Sequence, residues 1–150
     1  YGKYFADQME RAGLGFSCEV ELIRRARAKD IFTVAWAMSP EEAHAMAEAG
    51  ADVIGAMIGV TTGGMSGESQ VITLDDAVVA VQAMIEAARI VNPEVLVLTH
   101  GGPFADVETA QYSITHSSAA GYASGSSGER IPTEEAVVEV TRQYKSMKLS

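Results

Sequence analysis

Cysteine is nearly absent. Cys18 is the only one in 150 residues, so no disulfide can close within the chain, which excludes the stapled scaffolds of small secreted proteins. A lone thiol fits a reducing, cytoplasmic compartment, and at a helix start Cys18 reads as a small buried hydrophobe rather than a nucleophile. Long apolar runs are missing too. The apolar stretches break at Gly, Asp or Thr well short of the roughly 20 residues that a membrane span needs, and no basic segment followed by an apolar one opens the chain as a secretory signal. Positive charge is sparse: 11 Lys and Arg stand against 20 Asp and Glu, a net charge of −9. Phosphate backbones are gripped by dense Lys and Arg, so nucleic acid is excluded as a partner. The one basic cluster, Arg24, Arg25, Arg27 and Lys29, shares a helix with Glu19 and Glu21 and reads as a solvated face. No His, Cys and Asp set has structural-metal spacing, and no Ser–His–Asp elbow is visible.

What is present is an ordinary globular balance, 47% hydrophobic and 21% charged residues, enough to build one core and one domain over 1–150. The chain opens at Tyr1 in mid-pattern, and the expectation is that a further region of the native chain precedes it.

Two kinds of segment alternate. Residues 17–29 read as a helix capped by Ser17, with Val20, Ile23 and Ala26 on one face. Ile31–Ala37 (IFTVAWA) is a short apolar run, the pattern of a strand buried on both faces. Ser39-Pro40-Glu41-Glu42 then starts a helix: Ser caps, Pro takes the first helical position and the second Glu reaches back. Gly50 ends it. Asp52–Ile58 is the next strand, and residues 59–71 (GVTTGGMSGESQV) form a long Gly, Ser and Thr loop. A helix runs from about Thr73 to Val91, where Asn92-Pro93 stops it, and Glu94–Thr99 (EVLVLT) is the third strand. His100-Gly101-Gly102-Pro103 follows, then a helix from Asp106 to about His116. Gly121–Ser124 is a weak fourth strand, and a last helix begins after Pro132 with Thr133 as its cap and Val137, Val140 and Tyr144 inward.

Strand–helix alternation of this kind requires a parallel sheet. The strands are short and rich in Ala and Gly, and no Gly-x-Gly-x-x-Gly follows the first one, which favours a barrel over a dinucleotide-binding sheet. Four strands make only part of a closed (β/α)8 barrel. The expected fold is therefore α/β, a parallel TIM barrel of which these residues supply the last four strands and their helices. Left alone, such a half would keep open edges and an uncovered inner face, so a homo-oligomer is expected.

The stretch GLGFSCEVELIRRARAKDIFTVAWAMSPEEAHAMAEAGADVIGAMIGVTTGG, followed by LTHGGP and ASGSSGERIP, resembles the phosphoenolpyruvate hydrolase-like family, also called TIM-barrel signal-transduction proteins. A similar domain forms the C-terminal part of a plant tobamovirus-resistance protein. The resemblance implies a hydrolase acting on phosphoenolpyruvate, phosphonopyruvate or another small phosphorylated or carboxylated substrate. For the full-length protein it implies a divalent cation such as magnesium, held by carboxylates of earlier strands, with no metal site completed within this chain. Two positions depart from the family pattern: Met57 stands where a histidine is usual, and Thr99 where Cys is frequent.

Barrels carry their chemistry on the loops after the C-terminal strand ends. His100 is the candidate acid/base, because imidazole titrates near neutral pH and two glycines beside it admit a ligand. His44 and His116 sit on helices and read as structural. Gly101, Gly102, Ser126 and Ser127 form a candidate phosphate cradle of backbone N–H groups and hydroxyls, with Arg130 as a bidentate anion contact. Pairing of Arg130 with Glu129 or Glu134 is the alternative for that side chain. Thr61, Thr62, Gly63 and Gly64 form a candidate lid over the same small anionic ligand. The rival to catalysis is a ligand-binding or regulatory module.

Overall fold

Local signals place most of the elements. The computed structural model describes residues 3–67 and 72–148, so Tyr1 and the last part of the 59–71 loop, residues 68–71, lie outside the described residues. In chain order these are α1 (Lys3–Arg11), α2 (Phe16–Arg27), β1 (Val34–Ala37), α3 (Pro40–Ala49), β2 (Val53–Met57), α4 (Leu74–Val91), β3 (Leu96–His100), α5 (Val107–Thr115), β4 (Gly121–Tyr122) and α6 (Arg130–Lys145).

Helix α3 forms as its start motif dictates. The Ser39 hydroxyl accepts the Glu42 N–H at 3.2 Å, Glu42 reaches back to the Met38 N–H at 2.7 Å, and Gly50 closes the end in the left-handed region at φ 93°. Helix α4 is capped by Thr73 and α5 by Asp106, whose carboxylate accepts the Thr109 N–H at 2.8 Å. That N–H, followed by the Thr109 hydroxyl, holds the Asp106 carboxyl below its usual value. Asp106→Ala is therefore expected to cost about 1 kcal/mol in urea unfolding at neutral pH. A depressed carboxyl contributes above its unfolded value and loses that contribution as pH falls through the folded one. The difference between wild type and variant should accordingly shrink on acidification.

The sheet is parallel throughout, with the strands side by side in chain order, β1-β2-β3-β4. Alternation along each strand decides its two faces. Ala35, Ala37, Ile54, Ala56, Val97 and Thr99 are buried beneath helices α3, α4 and α5. Small side chains let those helices sit close, and Met46, Met84, Val81 and Ile85 fill the layer between them. The opposite face is open: Val34, Trp36 and Leu96 are exposed, as are Phe32 and Met38 at the ends of β1. The expectation that the first strand is buried on both faces is thus corrected, since Ile31 and Phe32 precede the strand and the observed β1 is covered on one side only.

Further corrections come from tertiary packing. Ser17 is not the α2 cap; that position is Gly15, and Ser17 is drawn to Glu10 of α1, an unforeseen helix, through its N–H at 2.9 Å and hydroxyl at 2.6 Å. Cys18 is exposed, not buried, with its thiol 2.8 Å from the Gly13 carbonyl. Helix α6 starts at Arg130, ahead of Pro132, and Thr133 lies inside it, donating to the Glu129 carbonyl at 2.6 Å. None of its described residues is buried, so Val137, Val140 and Tyr144 face outward rather than inward. In the basic cluster Arg25 pairs with the exposed Glu21, and the exposed Arg27 with the half-buried Asp52. No helix among the described residues is long and apolar enough to cross a membrane.

Candidate functional site

The C-terminal ends of β2, β3 and β4 bring three loops together around His100. His100 is the last residue of β3, level with Met57 of β2, and its carbonyl accepts the Ile58 N–H at 3.1 Å. Its ring is fixed from the other side: Nδ1 lies 2.8 Å from the Ala123 carbonyl. A carbonyl can only accept, so Nδ1 carries a proton and, in the neutral ring, Nε2 keeps its lone pair. The Cε1–Nε2 edge faces Gly125, where a Cβ would lie 3.0 Å from Cε1. On its remaining flank the imidazole meets the indole of Trp36, ring centroids 4.6 Å apart.

Gly125 opens a tight turn into α6. Its carbonyl accepts the Gly128 N–H at 2.9 Å and the Glu129 N–H at 3.1 Å, which leaves the N–H groups of Gly125, Ser126 and Ser127 without a protein acceptor among the described residues. They are donors of the turn that precedes α6, whose N-cap is Glu129. The two serine hydroxyls differ. Tyr122 donates to the Phe104 carbonyl at 2.8 Å, so the Ser127 hydroxyl, 2.8 Å from the Tyr122 oxygen, must donate to it and Ser124 to Ser127. The Ser127 hydroxyl proton is therefore committed, whereas the Ser126 hydroxyl has no protein partner among the described residues.

Gly101 and Gly102 also join two loops. The Gly102 N–H donates to the Gly59 carbonyl at 3.1 Å and the Thr62 N–H to the Gly102 carbonyl at 3.0 Å, zipping two loops together. Gly101 has φ 72°, and a Cβ there would stand 2.2 Å from the Gly59 carbonyl oxygen. Gly101→Ala combines a left-handed conformation with a backbone clash. The expected cost is about 2–5 kcal/mol in a denaturant titration.

Arg130 gathers the Thr61–Gly64 loop. Its guanidinium donates to the carbonyls of Thr61 at 3.3 Å and Gly63 at 3.1 Å and pairs with Glu134 at 3.2 Å. Glu134 in turn accepts the Met65 N–H at 2.6 Å. That N–H, followed by Arg130, holds the Glu134 carboxyl below the usual glutamate range. A side chain on Gly64 would occupy the same space as this pair. In this conformation Arg130 fastens the loop to α6 and takes Glu134 as its anion.

Met57, a thioether, offers no proton beside His100. Thr99 points the other way, into the helix layer, where it donates to Ser113 at 2.7 Å while Ser113 donates to the Ala110 carbonyl at 2.7 Å. The second departure from the family pattern therefore lies in the core. His44 approaches the Ala87 carbonyl between α3 and α4, and His116 stacks on Tyr112. Sequence reading missed Trp36 and Tyr122, while Glu134 is the alternative partner it named for Arg130; the alternation of Val34 and Trp36 with buried alanines was the available signal for the first. Among the described residues no group of three or more His, Cys, Asp or Glu could hold a metal ion, and the carbonyls, amides and hydroxyls gathered here do not fit a magnesium site without further carboxylates.

The phosphoenolpyruvate hydrolase-like family model matches residues 1–147. The chain belongs to this family. Among its relatives, the tomato (Solanum lycopersicum) ToMV susceptible protein tm-1(GCR26) is 40% identical over 146 residues and the ToMV resistance protein Tm-1(GCR237) is 39% identical. In each case the match covers 97% of this chain and 19% of the tomato protein. The Sinorhizobium fredii protein y4pA, whose name marks its transcriptional regulatory role as provisional, is 31% identical over 97% of the chain and 24% of its own length. The family member described here thus spans about a fifth of the tomato relatives it matches.

Proposed function

We propose that this chain is an arc of a parallel (β/α)8 barrel whose rim binds a small phosphorylated or carboxylated substrate, in a cytoplasmic phosphoenolpyruvate or phosphonopyruvate hydrolase-like protein. One observation supports the reading: His100 is held with Nδ1 as donor and its Cε1–Nε2 edge against Gly125, the first residue of the turn that carries the unengaged amides of Gly125, Ser126 and Ser127. The amides and the Ser126 hydroxyl hold the anion, while Ser127 contributes its N–H only. Nε2 of neutral His100 takes a proton from an attacking water and returns it to the leaving group. Gly101 and Gly102 act by joining the loops, and Arg130 by holding Thr61, Thr62, Gly63 and Gly64 over the rim. A divalent cation enters this reading only with ligands from elsewhere in the longer protein. The open sheet face is covered there by the remaining strands, or by a second copy of the chain.

The test is phosphate release from phosphoenolpyruvate by the full-length protein and its His100→Ala variant. Turnover in the wild type and its loss in the variant support the reading; equal turnover removes His100 from the chemistry. The second reading, a binding module without catalysis, is favoured by Met57 where the family pattern has a titratable histidine. A thermal shift with phosphoenolpyruvate in the absence of any turnover supports that alternative.

A further inference from the structure

The chain has one tryptophan, and its environment is specific. Trp36 of β1 stands level with Gly55 of β2. A Cβ on Gly55 would lie 2.3 Å from Cε3 and Cζ3 of the indole. The ring thus lies across β2 on the bare backbone of a glycine, a use of strand glycine that marks close approach of another group. Crossing β2 in this way, it reaches the β3 imidazole: the His100 and Trp36 rings meet at 4.6 Å with an interplanar angle of 51°. His100 is therefore gripped twice, by the Ala123 carbonyl of the segment after β4 and by an indole anchored on β1. Trp36 remains 41% exposed on the open face.

We infer that Trp36 is a positioning residue that holds the His100 ring against the Ala123 carbonyl, so that one tautomer presents Nε2 to the Gly125–Ser127 amides. This rests on the reading of His100 as the acid/base. Gly55 belongs to the same device, since any side chain there would lift the indole off the sheet. Removing the indole frees the imidazole to rotate about its χ angles and exchange tautomers.

The direct measurement is the pair of ring 15N resonances of neutral His100, assigned by comparison with His100→Gln. In the wild type one nitrogen should be protonated and the other not. In Trp36→Leu the two shifts should move toward each other as tautomers average, while Trp36→Phe, which keeps an aromatic face, should retain the separation. In the full-length protein, turnover by Trp36→Leu should fall on the order of tenfold to a hundredfold with KM unchanged, the range produced when a reacting group is misplaced by up to about an ångström. Undisturbed ring shifts in Trp36→Leu overturn the inference. If the shifts average but His100→Ala leaves turnover intact, positioning stands and the acid/base reading fails instead. If His100→Ala abolishes turnover and Trp36→Leu changes neither shifts nor rate, the opposite holds.

Discussion

Replacing His100 by alanine should lower turnover of the full-length protein by about 10²–10⁴-fold, the usual contribution of a positioned acid/base group. The ring is held in one orientation. Its Nδ1 N–H donates to the Ala123 carbonyl, so the nitrogen left for a ligand is Nε2, with a defined direction. His100→Gln keeps a donor for that carbonyl but brings no titratable group to the rim, and it should be about as impaired as alanine. Folding should change little in either variant, because His100 is only partly buried and its backbone, not its side chain, makes the bond to Ile58. A fall in rate with an unchanged unfolding midpoint separates chemistry from stability. Loss of both together would point to a structural histidine.

Phe104→Ala should be the most damaging core substitution, at about 3–5 kcal/mol. Phe104 is fully buried, with 0% exposure, and stands at the head of the fully buried side chains by size. It sits where the chain leaves β3 and turns toward α5. Its N–H donates to the Gly101 carbonyl at 3.2 Å and its own carbonyl accepts from Tyr122 at 2.8 Å. Truncation leaves a cavity beneath the loop and loosens the chain of hydroxyls from Tyr122 to Ser127 to Ser124. For a domain of this size the loss corresponds to a Tm lower by roughly 6–20 °C. It should be readable in urea unfolding. A cost below about 1 kcal/mol would mean that the neighbouring helices collapse into the space.

Much of this architecture could be read one residue at a time. Ser39-Pro40-Glu41-Glu42 and Gly50 bound α3, and Asp106 begins α5, because caps and turns act over three or four residues and need no distant partner. The apolar runs located all four strands for the same reason, though each observed strand is shorter than its run. Helix α6 departs from its local signals. Pro132 and Thr133 look like a helix start, yet the Gly125 carbonyl has already begun the turn upstream. Its apolar stripe promised burial, but none of the described sheet or helices covers it.

The candidate site divides along the same line. His100, the glycine pair and the Gly-Ser turn were visible as residue types at strand ends. Their partners were not: Arg130 meets Gly63 across 67 positions, and Ser127 finds its partner Tyr122 only because the turn doubles back. Gly101 and Gly102, read from the sequence as an opening for a ligand, are also the place where two loops touch, a contact their local sequence does not announce.

By itself the sequence determined the alternation of strands and helices, the cap of each well-marked helix and, through its motifs, the family. Those features rest on periodicity, local hydrogen bonds and residue order, all short-range or linear. Tertiary structure alone decided that one sheet face stays open, that Trp36 crosses Gly55 to reach His100, and that Arg130 serves a loop. Such contacts depend on which segments the parallel register sets side by side, and no residue's nearest chain neighbours carry that information.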